Sequence, residues 1–266
     1  MTIKIAKDLN CKIYSFLASN DNDINFDAFI IDNIPQEYDR YAGYEEKDKL
    51  KEIVQGYSGE DISKLLISKE KEDQIIEQTF EVINQCNKIL PFSETLQIFF
   101  FPTKSEFIME KMGGISGLAT FKNTFLVFVH PDSDLHLLPE TISHEYNHAI
   151  ILNNIKWLTI GEGIVTEGLA ENFRERVIGG EITPWANSLT EEEAKKWYVK
   201  IKKLLSVEDN ELYQDIFTNS KSDYPLWTGY AVGYQLIKSY LKQNPDLSWT
   251  QLMSQNTDII LQKVEF

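Results

Sequence analysis

Cysteine is nearly absent from this chain of 266 residues: Cys11 and Cys86 are the only two, far apart and outside any CxxC pattern. That excludes a disulfide framework and a cysteine-based metal site, and leaves two buried thiols as the expectation. Positive charge is scarce as well. Lys and Arg number 26 against 41 Asp and Glu, giving a net charge of −15 and a pI near 4.7. A surface of that sign repels a phosphate backbone, so nucleic acid is not an expected partner. No apolar run approaches the roughly 18 residues that span a bilayer. Residues 1–10 lack both the apolar stretch and the small-residue cleavage site of a signal peptide. The expectation is a soluble, cytoplasmic protein with no membrane span. Internal repeats and flexible linkers are also missing.

What the chain does have is the material of a folded core, with 42% hydrophobic and 12% aromatic residues. Ile3 to Ile5 and Lys12 to Phe16 read as short extended or partly helical pieces, and Asn20 to Asp23 as a turn. That turn lacks the glycine and terminal glutamate of a calcium loop. Glu45 to Gln55 reads as a charged helix. From Ser68 to about Leu90, apolar residues recur at helical intervals until Pro91 ends the helix. Thr95 to Pro102 and Thr124 to His130 carry the β-branched and aromatic residues of strands. Between them, Gly113 to Phe121 holds glycines where backbone comes close to something else, with Lys122-Asn123 as a turn. These three segments are expected to form a small antiparallel sheet, with the glycine-bearing strand as an edge open to an extended substrate.

Next comes Thr141-Ile142-Ser143-His144-Glu145-Tyr146-Asn147-His148, which contains HExxH. Residues four apart share a helix face, so His144 and His148 can present their imidazoles to one ion. A catalytic zinc takes three protein ligands and keeps one position for water. HExxHxxGxxH would need glycine and histidine where Ile151 and Asn154 stand, which excludes a third histidine of that type. Glutamates at 162, 167 and 171 follow. With Pro139 in the first turn, the motif helix is expected to run to about Asn154. An antiparallel helix from about Thr159 to Val177, stopped by Gly179-Gly180, follows a connection centred near Trp157. Equal distances from that centre put residues at equal heights, at about 1.5 Å per residue. His148 is then level with Glu167, the expected third ligand. Glu171 falls beside His144, where it can accept the other ring N–H, and Glu162 lies more than a turn away. His130 and His136 are off the ligand face, and Asn147 reads as a packing or capping residue. Further helices are expected over about 191–205, 211–217 and 227–241, with a short one from Ser248.

A sheet, an HExxH helix, a glutamate-bearing helix and a helical remainder resemble a gluzincin metallopeptidase, the group of thermolysin and aminopeptidase N. Eighteen residues separate His148 from Glu167, which is similar to the aminopeptidase N spacing. More narrowly, HEYNH, TEGLAENF and Gly229-Tyr230-Ala231-Val232-Gly233-Tyr234 resemble the YjaZ-type family of predicted bacterial zinc-dependent proteases, over roughly residues 75 to 245. The GAMEN-type exopeptidase strand has no counterpart, and the aspartate that supports a zinc-binding histidine in thermolysin appears as Glu171. The resemblance implies an α+β, zincin-like fold, with a small antiparallel sheet packed on the HExxH helix and a mainly helical C-terminal lobe.

The expected organisation is an N-terminal α/β extension over 1–67 and a metallopeptidase domain over 68–266. Within that domain a sheet lobe covers about 91–138, active-site helices about 139–178 and a helical lobe about 184–266. One catalytic Zn²⁺ is expected on His144, His148 and Glu167. Glu145 is the expected general base, and Tyr230 and Tyr234, four apart on one helical face, are candidate oxyanion donors with Tyr224 as a third. The expected activity is hydrolysis of a peptide or protein substrate, by an endopeptidase ahead of an exopeptidase. A metallopeptidase-like binding protein without turnover and a hydrolase of a non-peptide amide are the alternatives. Glu145 speaks against the first, since a binding module needs no base there.

Overall fold

A computed structural model describes residues 2–18, 47–58 and 65–266. The expected turn at Asn20–Asp23 and the first two residues of the expected helix from Glu45 lie outside them. The chain divides into two compact units, Met1–Asn153 and Asn154–Phe266.

The first unit is built on a five-stranded sheet in the order β1-β2-β3-β5-β4, with β1 Thr2–Ala6, β2 Cys11–Ser15, β3 Leu96–Pro102, β4 Ile115–Phe121 and β5 Thr124–Val129. The sheet is mixed rather than antiparallel: β2 and β5 both run parallel to β3, and only the outer pairs β1–β2 and β4–β5 are antiparallel. Residues 2–15, expected in a separate extension, supply two of its strands. The physical reason lies in β3, where Ile98, Phe99, Phe100 and Phe101 are all fully buried. A strand apolar on both faces needs cover on both, and parallel neighbours are reached through crossovers that provide it.

One face holds Tyr14, Phe16, Phe99, Phe101, Leu126 and Phe128, closed by Val54 of α1 (Lys47–Ser58) and Ile108 of α3 (Glu106–Lys111). Tyr14 stacks on Phe99 with centroids 4.7 Å apart, and Phe16 on Phe101 at 5.0 Å. The other face carries α2 (Lys69–Ile89) and α4 (Leu138–Ile151). Helix α2 buries Glu72, Ile75, Ile76, Thr79, Val82, Ile83 and Cys86, a stripe at the helical period. Its Glu72 carboxylate accepts from Ser15 Oγ (2.5 Å), Thr2 Oγ1 (2.9 Å) and Lys69 Nζ (2.6 Å), which answers the cost of burying a charge. Burial pushes the Cys11 thiol up to about 12 and raises Cys86 too, so both stay protonated and inert as nucleophiles.

The second unit is helical: α5 Ile160–Ile178, α6 Glu191–Ile201, α7 Asn210–Thr218, α8 Thr228–Gln243, α9 Trp249–Met253 and α10 Thr257–Lys263. Helices α3 and α10 are the elements the sequence patterning missed; each is only two turns or less, too short for a period to show. Thr159 and Glu162 form a capping box at the start of α5, and Thr190 with Glu193 does so for α6. Helices α5 and α8 touch backbone to backbone. A β-carbon on Gly168 would lie 2.5 Å from Gly233 C, and one on Gly233 would overlap Ile164 O. Asn172 Nδ2 bridges the crossing, donating to Gly168 O (2.8 Å) and Tyr234 O (3.0 Å). Gly229 lies equally close to the Phe217 ring. Among the described residues, no helix is long and apolar enough to cross a membrane.

Two alanine substitutions should separate a glycine kept for contact from one that is not. Gly233→Ala is expected to destabilise by about 1–3 kcal/mol in urea unfolding, the usual cost of overpacking. Gly56→Ala, in α1 with nothing within 4 Å, should instead stabilise by about 0.5–1 kcal/mol.

Candidate metal centre

Every residue of α4 from Thr141 to Ile151 is buried, which for a helix carrying two histidines and a glutamate demands specific anchoring. Pro139 stands in its first turn, as expected from its missing N–H. Three tethers hold the helix. Tyr146, the third residue of the motif, donates its hydroxyl to Leu90 O at the end of α2 (2.7 Å), and burial lifts its phenol well above the ordinary range. At the other end, Asn123 N–H in the β4–β5 turn donates to Ala149 O (3.0 Å), and Asn153 Nδ2 donates to Asn123 Oδ1 (2.8 Å). The loop leading into α4 is pinned by Lys71 of α2, whose ammonium donates to Pro131 O and Ser133 O at 2.6 and 2.5 Å. Burial lowers the pKa of that lysine.

On this helix the His144 and His148 rings meet edge to face, with centroids 4.5 Å apart. Glu145 is 6% exposed and its side chain lies against Gly117 of β4, the edge strand. A β-carbon at Gly117 would stand 2.5 Å from Glu145 Oε1 and 2.6 Å from Cδ. Glu167 sits on α5, 4% exposed. His144, His148 and Glu167 each offer one ligand atom, and those three atoms lie within 4.8 Å of one another. Two imidazoles and a carboxylate are the donor set of a catalytic zinc, so the residues present fit that ion. No other such group occurs among the described residues, and His130 and His136 are not part of it. His130 Nδ1 accepts from Asp132 N–H (3.2 Å), while the exposed His136 pairs with Asp134.

The remaining candidates separate by their partners. Glu162 is spent on capping α5, accepting from the N–H groups of Leu158 and Thr159 at 2.7 and 2.9 Å. Fully buried Glu171 accepts from Thr183 Oγ1 (2.7 Å) and from the Trp185 indole, with the Arg174 guanidinium 3.6 Å away. Arg174, also fully buried, donates to Gly179 O (3.1 Å) and Glu181 O (2.9 Å), so the segment 179–185 is folded back onto α5. Tyr234 is committed: its one hydroxyl proton goes to Glu175 Oε2 (2.8 Å), and it accepts from Lys238 Nζ (2.6 Å). That removes the donor an oxyanion would need. Tyr230 is half-buried, edge-on to Phe217 at 5.5 Å. Tyr224 leans on Trp197 at 5.4 Å.

Tyr146, Gly117, Thr183, Arg174 and Trp185 escaped the sequence reading. Only Gly117 left a signal there, as a glycine at a close approach.

The family described as "Predicted Zn-dependent protease (DUF2268)" matches residues 73–262, well over half of the chain. The chain belongs to this family. Two relatives from Bacillus subtilis (strain 168) are similar to it. "Uncharacterized protein YjfC" is 27% identical over 146 residues, covering 49% of this chain and 49% of the relative. "Uncharacterized protein YjaZ" is 31% identical over 143 residues, covering 49% and 52%. The chain thus spans about half the length of the curated relatives it matches. No solved structure matches it significantly.

Trp185→Phe keeps an aromatic ring, smaller than the indole, and removes one donor to the buried Glu171 carboxylate. It should lower stability in denaturant titrations by about 1–3 kcal/mol.

Proposed function

We propose that this member of the family is a gluzincin-type zinc hydrolase of peptide bonds, with His144, His148 and Glu167 as the ligands of one Zn²⁺ and Glu145 as the general base. The observation that carries the reading is the convergence of three buried ligand atoms within 4.8 Å, two of them from residues that flank Glu145 in one helix. When bound, zinc supplies Lewis acidity and brings the pKa of a coordinated water toward about 7. The proton work falls to the chain. Glu145 accepts a proton as water attacks the scissile carbonyl and delivers it to the departing amine. Its enclosure against Gly117 keeps the carboxylate from wandering. The Glu171 carboxylate is itself fixed by Thr183 and Trp185. Of the two candidate tyrosines on α8, Tyr230 is the one assigned to the developing negative charge, since the Tyr234 hydroxyl donates to Glu175.

In this reading an extended peptide pairs with the outer edge of β4, which is an end strand of the sheet among the described residues. Strand β4, Ile115-Ser116-Gly117-Leu118-Ala119-Thr120-Phe121, has no acidic residue to hold a free amino terminus, which favours an endopeptidase.

The expected result for Glu145→Gln is retained zinc, measured by metal analysis, with peptide-library cleavage reduced about 10²–10⁴-fold. Chelation should abolish cleavage, and added zinc should restore it. Full activity in Glu145→Gln, or cleavage indifferent to chelation, would sink the proposal.

A further inference from the structure

Gly117 has no backbone reason to be glycine. The glycines with positive φ among the described residues are Gly113, Gly114, Gly179 and Gly180, so the conformation at 117 is one that any residue adopts. It lies inside a strand, paired with Val127 of β5, where glycine weakens the ladder. What the position lacks is room. An added β-carbon would meet three atoms of one side chain, Cγ, Cδ and Oε1 of Glu145, the last two at 2.6 and 2.5 Å. No other residue is among the nearest atoms.

We propose that Gly117 is a positioning residue for Glu145: its missing side chain is the space in which the carboxylate of the base is held. The inference rests on Glu145 being the base, but its structural half stands apart from that reading. The flexible end of a glutamate can yield to a methyl group where a backbone could not. At 6% exposure, however, a displaced Glu145 carboxylate meets protein on most sides rather than solvent. A methyl group at 117 therefore leaves the fold in place and moves the carboxylate by a distance of the order of a carbon radius. Displacements of about 1 Å from productive geometry cost up to about 10²-fold in rate. The new methyl points to the sheet face that carries α4, while a paired peptide would lie in the plane of the sheet at its edge. Substrate affinity should therefore be spared.

The test is a cycle of four full-length proteins: the native chain, Gly117→Ala, Glu145→Ala and the double variant. Chemical denaturation of the metal-free proteins gives the first readout. The expected result is a lowered midpoint for Gly117→Ala that disappears in the Glu145→Ala background, because the clash partner is gone. An equal loss in both backgrounds would mean that the glycine serves the strand alone, and would overturn the proposal. The second readout is steady-state cleavage by zinc-loaded Gly117→Ala. The expectation is unchanged zinc stoichiometry, KM within about twofold and kcat lowered about 10–100-fold. An unchanged kcat would overturn the positioning role even if the two residues couple in stability. Should Glu145→Gln prove fully active, the reading of the base fails by itself, and the metal-free cycle still decides whether Gly117 makes the space for Glu145.

Discussion

Burying ionisable side chains within a single helix is the constraint on which the first unit depends. His144, Glu145 and His148 are each less than a tenth exposed, and a group of this kind is sustained in a protein interior only when its environment compensates the lost hydration. Much of the surrounding structure is arranged to hold α4 where that compensation exists. Tyr146 ties one flank to the end of α2, the β4–β5 turn ties the C-terminal turn, and Lys71 fixes the loop of entry. The mixed sheet serves the same end. Its fully apolar central strand needs helices on both faces, and α4 belongs to one of those covering layers.

In the second unit the comparable constraint is close approach. Glycines at 168 and 233 let α5 and α8 meet at backbone distance, Gly229 lets α8 seat the Phe217 ring of α7, and Asn172 supplies the polar link across the α5–α8 crossing. The glycines of the Gly229-to-Tyr234 segment thus have a packing explanation of their own. The tyrosine at 234 follows suit, since its hydroxyl is spent on Glu175 and Lys238.

Much of this was legible in the sequence, for definable reasons. The helices at 69–89, 138–151 and 160–178 carry their own punctuation, in Ser68, Pro139, Thr159 and the Gly179-Gly180 pair, and the apolar residues of the first recur at the helical period. The His144–His148 pair of the candidate metal centre was legible because helical geometry alone relates residues four apart. The parallel pairings were not, because direction and order within a sheet depend on crossovers that no short-range pattern encodes. Two strands near the N-terminus were ambiguous because β1 and β2 are only five residues each. The environment of Glu171 was hidden because Thr183 and Trp185 reach it from beyond the helix end, across a loop whose path depends on the buried Arg174.

The glycine crossing has a mechanical side. The backbones of α5 and α8 meet over one helical turn, Ile164 and Gly168 against Gly233, which leaves the ends of α5 as the parts farthest from that support. Glu167 is the residue next to Gly168. Its carboxylate is thus carried by the braced turn of the helix, where any rocking of α5 against α8 would displace it least.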